Sequence, residues 1–149
     1  MQIDAQFQTP KNICELMADK IPEGTLTVLE PTPGKGNLVS ALRGYDVTAP
    51  SNFFDVEGIF DAIVMNPPFT PMKLGYEILY KCMDMTDVII ALMPWLTIIN
   101  SQKRTEDIFK YGLKEVTHLP RNTFKGSRVQ TCILEMRRGY KGVCVFSAI

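Results

Sequence analysis

The tetrapeptide Asn66-Pro67-Pro68-Phe69 constrains this chain more than any other stretch. It follows Phe60-Asp61-Ala62-Ile63-Val64-Met65, a mostly apolar run that reads as a buried strand. Two consecutive prolines end that strand, because neither donates to a ladder and each holds φ at about −65°. An Asn is thereby left at a strand's carboxyl end, the edge where open α/β sheets bind ligands. The Asn66 side-chain oxygen and the Pro67 carbonyl are both acceptors. Together they suit the two hydrogens of a planar NH2 group. Accepting both turns the nitrogen lone pair out of conjugation and toward an electrophile. Phe69 offers a flat face for the ring that carries such an amine. The same residues also fit a plain proline-stiffened turn.

A second corner lies upstream. Thr25-Leu26-Thr27-Val28-Leu29-Glu30 reads as a strand, Pro31 to Gly36 as a glycine turn, and residues 38–42 as a helix start. Gly34 and Gly36 let the backbone pass close to a ligand, and the helix start presents free N–H groups. The spacing is not that of a phosphate-binding loop, and Val39 stands where a dinucleotide fingerprint has its third glycine. A carboxylate directly before the turn, Glu30, suits a cationic ligand.

These corners resemble the motifs of S-adenosylmethionine-dependent methyltransferases, most closely the N6-adenine DNA methyltransferases. Asn66-Pro67-Pro68-Phe69 matches the family's catalytic motif, and Glu30-Pro31-x-x-Gly34-x-Gly36 its glycine motif. Phe7-x-Thr9-Pro10 matches a cofactor-contacting Phe-x-Thr-Pro. In that family a Phe before the penultimate sheet strand stacks on the flipped target base, and Phe124 stands at the matching place. The resemblance runs from Phe7 to about Arg138, in the order of the subclass whose cofactor motifs precede the catalytic one. It implies S-adenosyl-L-methionine as cofactor, held by Phe7, Thr9, Pro10, Glu30, Pro31, Gly34 and Gly36. It implies catalysis by Asn66, Pro67, Pro68 and Phe69.

The stretch after the glycine turn departs from the family. Residues 44–51 look like a second strand, whose expected terminal acid falls near Ser51. Asn52-Phe53-Phe54-Asp55 resembles the later segment that meets the cofactor's adenine amine. Only 29 residues separate Gly36 from Met65, too few for two βα units. Asn52 and Asp55 are therefore the candidates for the adenine end, and Asp46 for the ribose.

Charge is unevenly spread. Residues 1–102 hold 6 Lys/Arg against 12 Asp/Glu, whereas residues 103–149 hold 10 against 4. The C-terminal third therefore suits an anionic partner, or a solvated basic face. Within it, Arg121, Lys125 and Arg128 surround Phe124, the pattern that a phosphate backbone and an exposed stacking aromatic would use. Trp95, after the strand Asp87–Met93, sits at another strand's carboxyl end and is a further candidate for the substrate pocket or for core packing. Cys14, Cys82, Cys132 and Cys144 form no Cys-x-x-Cys pair and the chain has one His, so reduced thiols are expected and a metal site is not. No apolar stretch reaches a membrane span, and a cytoplasmic location is expected.

Helical spacing is expected over residues 10–20, 72–85 and 101–112, with strands at 113–119, 131–136 and, as an added edge, 143–149. The expected fold is one three-layer α/β domain over residues 1–149, Rossmann-like and methyltransferase-like. Its mostly parallel sheet ends in an antiparallel hairpin, and its cofactor-side edge is abbreviated. No target-recognition domain is visible, so the partners implied are nucleic acid, DNA first, and a separate recognition subunit or a second copy. The abrupt apolar end is compatible with a truncated C-terminus. Two other functions stay open. One is a methyltransferase acting on RNA or on a protein glutamine amide, Tyr more often replacing Phe69 in the glutamine enzymes. The other is a non-catalytic nucleic-acid-binding module of the same fold.

Overall fold

Apolar alternation and proline or glycine punctuation place every long element of the chain, which is seen in a computed structural model describing residues 8–149. Phe7 of the Phe-x-Thr-Pro motif lies outside the described residues. Helix α1 (Lys11–Asp19) follows Pro10 and turns Ile13, Cys14 and Met17 inward. Strand β1 (Thr27–Leu29) leads through the glycine turn into the short α2 (Asn37–Ser40), and β2 (Asp46–Thr48) follows. A 3-10 turn (Phe53–Asp55) precedes β3 (Ala62–Met65), all of whose residues are buried. Then come α3 (Met72–Met83), β4 (Val88–Pro94), α4 (Leu96–Ile99) and α5 (Gln102–Tyr111), the last capped by the Ser101 hydroxyl on the Arg104 N–H. Strands β5 (Leu113–His118), β6 (Thr131–Arg137) and β7 (Val145–Ala148) complete the domain.

The seven strands form one sheet in the order β2-β1-β3-β4-β6-β5-β7. The β2-β1-β3-β4 half is parallel, β6 runs antiparallel to both β4 and β5, and β7 is parallel to β5. Strand alternation divides the core between the two faces. Leu29, Ile63, Met65, Ile89, Ala91 and Met93 meet α3 and α5 on one side. Val28, Ala62, Val64, Ile90 and Leu92 meet α1 and α2 on the other, together with Phe69 and Phe124. The expected three layers, hairpin and added edge strand are all present, and the sheet stops at β2 on the side of the glycine turn. No described helix is long and apolar enough to cross a membrane. Helix α4 was not legible in the sequence, since four residues carry no periodicity.

Gly75 of α3 sits under the proline corner. A Cβ there would lie 3.4 Å from the Pro68 carbonyl oxygen and 3.7 Å from Pro67 Cγ, so the helix approaches the corner as closely as any side chain allows. Gly75→Ala is expected to fold normally. Gly75→Val, whose branch would press on Pro67 and Pro68, is expected to cost roughly 1–3 kcal/mol in a denaturant melt. An unchanged melt for the valine variant would show that the corner is not held by α3.

Candidate functional site

Strands β1 and β3 are parallel neighbours, with Leu29 opposite Ile63, so Glu30 and Asn66 both lie at the carboxyl edge of the sheet, Asn66 two residues further along its strand. A short polar chain joins them. Glu30 Oε1 accepts the Thr32 N–H at 2.8 Å and lies 3.4 Å from the Thr32 hydroxyl, which donates to the Asn66 carbonyl at 3.2 Å. The Asn66 side-chain amide donates through Nδ2 to Thr9 Oγ1 at 2.5 Å. That contact leaves Oδ1, the oxygen expected to act as an acceptor, at the other end of the amide. Thr9 is itself anchored, because its carbonyl accepts from Asn37 Nδ2 at 3.2 Å. Gln8 belongs to the same lining, its Oε1 accepting the Lys35 N–H at 3.3 Å.

Glu30 is buried, and its carboxyl is pushed up from 4.5 to about 8, chiefly because burial penalises the charged form; the Thr32 bonds offset only part of this. Among the described residues it has no ion-pair partner. A buried acid without a counter-charge is what a cationic ligand would complete. Gln8, Thr9, Glu30, Thr32, Pro33, Leu38 and Asn66 enclose a recess of about 10 Å³. That is the room of a single water. Gly36, at φ 87°, turns the chain into α2 beside it. Pro10 precedes α1, Pro31 is buried behind Glu30, and Gly34 bends at φ 54° on the turn's exposed side.

The adenosine-end candidates are not gathered there. Asp46 pairs with Thr27 at the amino end of β2, so the strand carries it away from the ligand edge; the ribose reading of Asp46 is corrected. Asn52 Oδ1 accepts the Phe54 N–H at 3.1 Å, which commits it to capping the 3-10 turn, and Asp55 is exposed at the end of that turn. Ser51 is exposed as well.

On the substrate side, the expected exposed aromatic is corrected. Phe124 is only 4% exposed and meets Phe69, also buried, in a T-shaped contact with centroids 5.3 Å apart. Burying an aromatic ring against another outweighs leaving it in water on a polar loop. Arg121, Lys125 and Arg128 remain exposed around it, and Arg121, Phe124 and Lys125 share an open concavity of about 650 Å³. Pro67 is buried and Pro68 half-buried at the corner. Trp95 is half-buried, and its indole N–H donates to His118 Nδ1 at 2.8 Å. Three contributors escaped the sequence reading. Gln8 and Thr32 lie at variable positions of their motifs, and Asn37 reads as an ordinary helix start.

No protein-family model and no curated protein matches the chain. Solved structures do. A protein from Listeria monocytogenes described as a class I S-adenosylmethionine-dependent methyltransferase superposes with a TM-score of 0.78 at 15% identity, over 99% of this chain and 67% of its own. A type I restriction-modification methyltransferase subunit from Streptococcus thermophilus gives 0.77 at 15% identity, over 96% and 47%. A protein from Pyrococcus horikoshii described as an RNA methyltransferase gives 0.65 at 16% identity, over 89% and 86%. The chain thus has the Rossmann-like fold of class I methyltransferases, and it spans less than half of the restriction-modification subunit.

The state of Glu30 sets a pH signature. With its folded value raised from 4.5 to about 8, the folded protein keeps a proton that the unfolded chain loses between those values. Stability therefore falls as pH rises through that window, by on the order of 3–5 kcal/mol in total. Denaturant melts at about pH 5 and about pH 9 should show this loss, and Glu30→Gln should remove most of it. An equal slope in the variant would mean that another group titrates.

Proposed function

We propose that this domain binds S-adenosyl-L-methionine and transfers its methyl group to an exocyclic amine, adenine N6 in DNA being the first candidate. The observation carrying this reading is the junction of a buried acid without a counter-charge, Glu30, with an Asn-Pro-Pro-Phe corner on the adjacent strand. Glu30 fits the cationic amino-acid end of the cofactor, with Thr9, Pro10, Pro31, Gly34 and Gly36 around it. Asn52 and Asp55 remain the candidates for its adenine end. When bound, the cofactor would supply a methyl group on a positive sulfur.

The remaining work falls to the chain's own residues. Asn66 Oδ1 and the Pro67 carbonyl accept the two amine hydrogens and aim the nitrogen lone pair at the methyl carbon. Thr9, on the amide nitrogen, keeps Oδ1 turned to that task. Phe69 supports the ring, and Phe124 has to move off Phe69 for a flipped base to stack there. Arg121, Lys125 and Arg128 would hold the flanking phosphates. Flipping costs roughly a few kcal/mol, which stacking offsets. Positioning and electrostatics carry the rate, with no covalent intermediate on the protein. Strict sequence selection would come from a recognition subunit or a second copy.

Calorimetric titration with S-adenosylmethionine and S-adenosylhomocysteine tests the cofactor, followed by a methyl-transfer screen on DNA, RNA and glutamine peptides. Binding in the micromolar range is expected, with transfer to adenine in DNA. Asn66→Ala should lower transfer by about 10²–10³-fold while leaving cofactor affinity nearly unchanged. Absence of binding by the native chain up to millimolar ligand would leave a binding module of this fold. Transfer confined to RNA or peptide would move the substrate accordingly.

A further inference from the structure

Two aromatic groups flank the segment 119–130, on opposite faces of the sheet. One is the Phe69–Phe124 pair beside α1. The other lies on the α3 and α5 side, where Trp95 joins the core. Its indole is fixed by the indole N–H bond to His118 Nδ1. The Trp95 and His118 rings are 5.7 Å apart, and Phe146 of β7 stacks on Trp95 at 5.7 Å with a 35° tilt. Phe146 is 67% exposed, so most of its ring meets solvent. It stands on an edge strand, Val145–Ala148, that carries no charge and no proline to guard it.

The basic loop is tied to this second group at both ends. The Trp95 backbone N–H donates to the Gln130 carbonyl at 2.9 Å, and the Leu119 backbone N–H to the Thr131 carbonyl at 3.2 Å. Between those ties stand the exposed Arg121, Lys125 and Arg128. An exposed aromatic ring beside three exposed cations offers one base a face and the flanking phosphates their counter-charges.

We propose that Trp95, His118 and Phe146 form a stacking ledge for an unpaired base on the strand that carries the target, the loop cations tracking the phosphates between. This rests on the nucleic-acid reading of the site. Such a ledge takes any base, since every base has a π-face, and it favours single-stranded over duplex substrate.

The test titrates the full chain into a short single-stranded DNA containing 2-aminopurine, and into its duplex, at several salt concentrations. Phe146→Ala should weaken single-strand binding about 10-fold and abolish 2-aminopurine quenching, whereas Phe146→Tyr keeps both. The salt slope should stay unchanged in Phe146→Ala but fall by about 0.7 for each charge removed in Arg121→Ala and Lys125→Ala. Native affinity and quenching in Phe146→Ala, with the arginine and lysine variants still weakened, would overturn the ledge and leave the nucleic-acid reading intact. Lack of salt-dependent binding by the native chain would overturn both. Concentration-dependent dimerisation that Phe146→Ala abolishes without changing DNA binding would assign the edge to self-association and overturn the ledge. Far-UV circular dichroism of each variant guards against misfolding, and the tyrosine variant keeps the comparison usable if alanine disturbs the edge.

Discussion

The candidate site depends on one neighbour relation, the parallel pairing of β1 with β3. Each strand alone delivers an unremarkable end, a glutamate before a proline and an asparagine before two. Paired in parallel, they set a buried carboxyl and an asparagine on one sheet edge, with a single threonine hydroxyl between the Glu30 carboxyl and the Asn66 backbone carbonyl. Because β1 and β3 are almost wholly buried on both faces, the edge they share cannot shift without disturbing both halves of the core. The polar chain Glu30–Thr32–Asn66–Thr9 is thus held by apolar packing behind it.

Burial also gives the site its electrostatic character. The acid at its centre is held nearly free of water and without a counter-charge, a state that costs stability above its raised titration point. Unneutralised buried groups of this kind are more common at ligand sites than in purely structural cores. The ion pairs elsewhere follow the opposite pattern. Lys20 with Glu115, and Arg137 with Glu135, are satisfied pairs that pin the end of α1 to the sheet, away from the ligand edge.

The sheet is asymmetric about the two strands that carry the site. The parallel half keeps the strands that carry Glu30 and Asn66 but ends at β2. Asn52 follows β2 in the chain, and its side chain closes the 3-10 turn. On the opposite side β7 forms an apolar edge with Phe146 exposed.

Much of this was determined by local sequence. The proline pair after an apolar run ends a strand wherever it stands, and the glycine turn after Glu30 follows from backbone freedom, so both corners and the α/β alternation were legible without coordinates. Tertiary structure decided what the corners touch. That Thr9 holds the Asn66 amide across 57 residues, that Thr32 bridges two strands, and that Phe124 turns inward onto Phe69 are outcomes of packing between distant segments. The sequence marked Phe124 by its polar neighbours, yet the ring's own apolar area governs where it goes. Asp46 failed for a related reason: an acid near a strand is legible, but which end of the strand it occupies depends on the register of the pair.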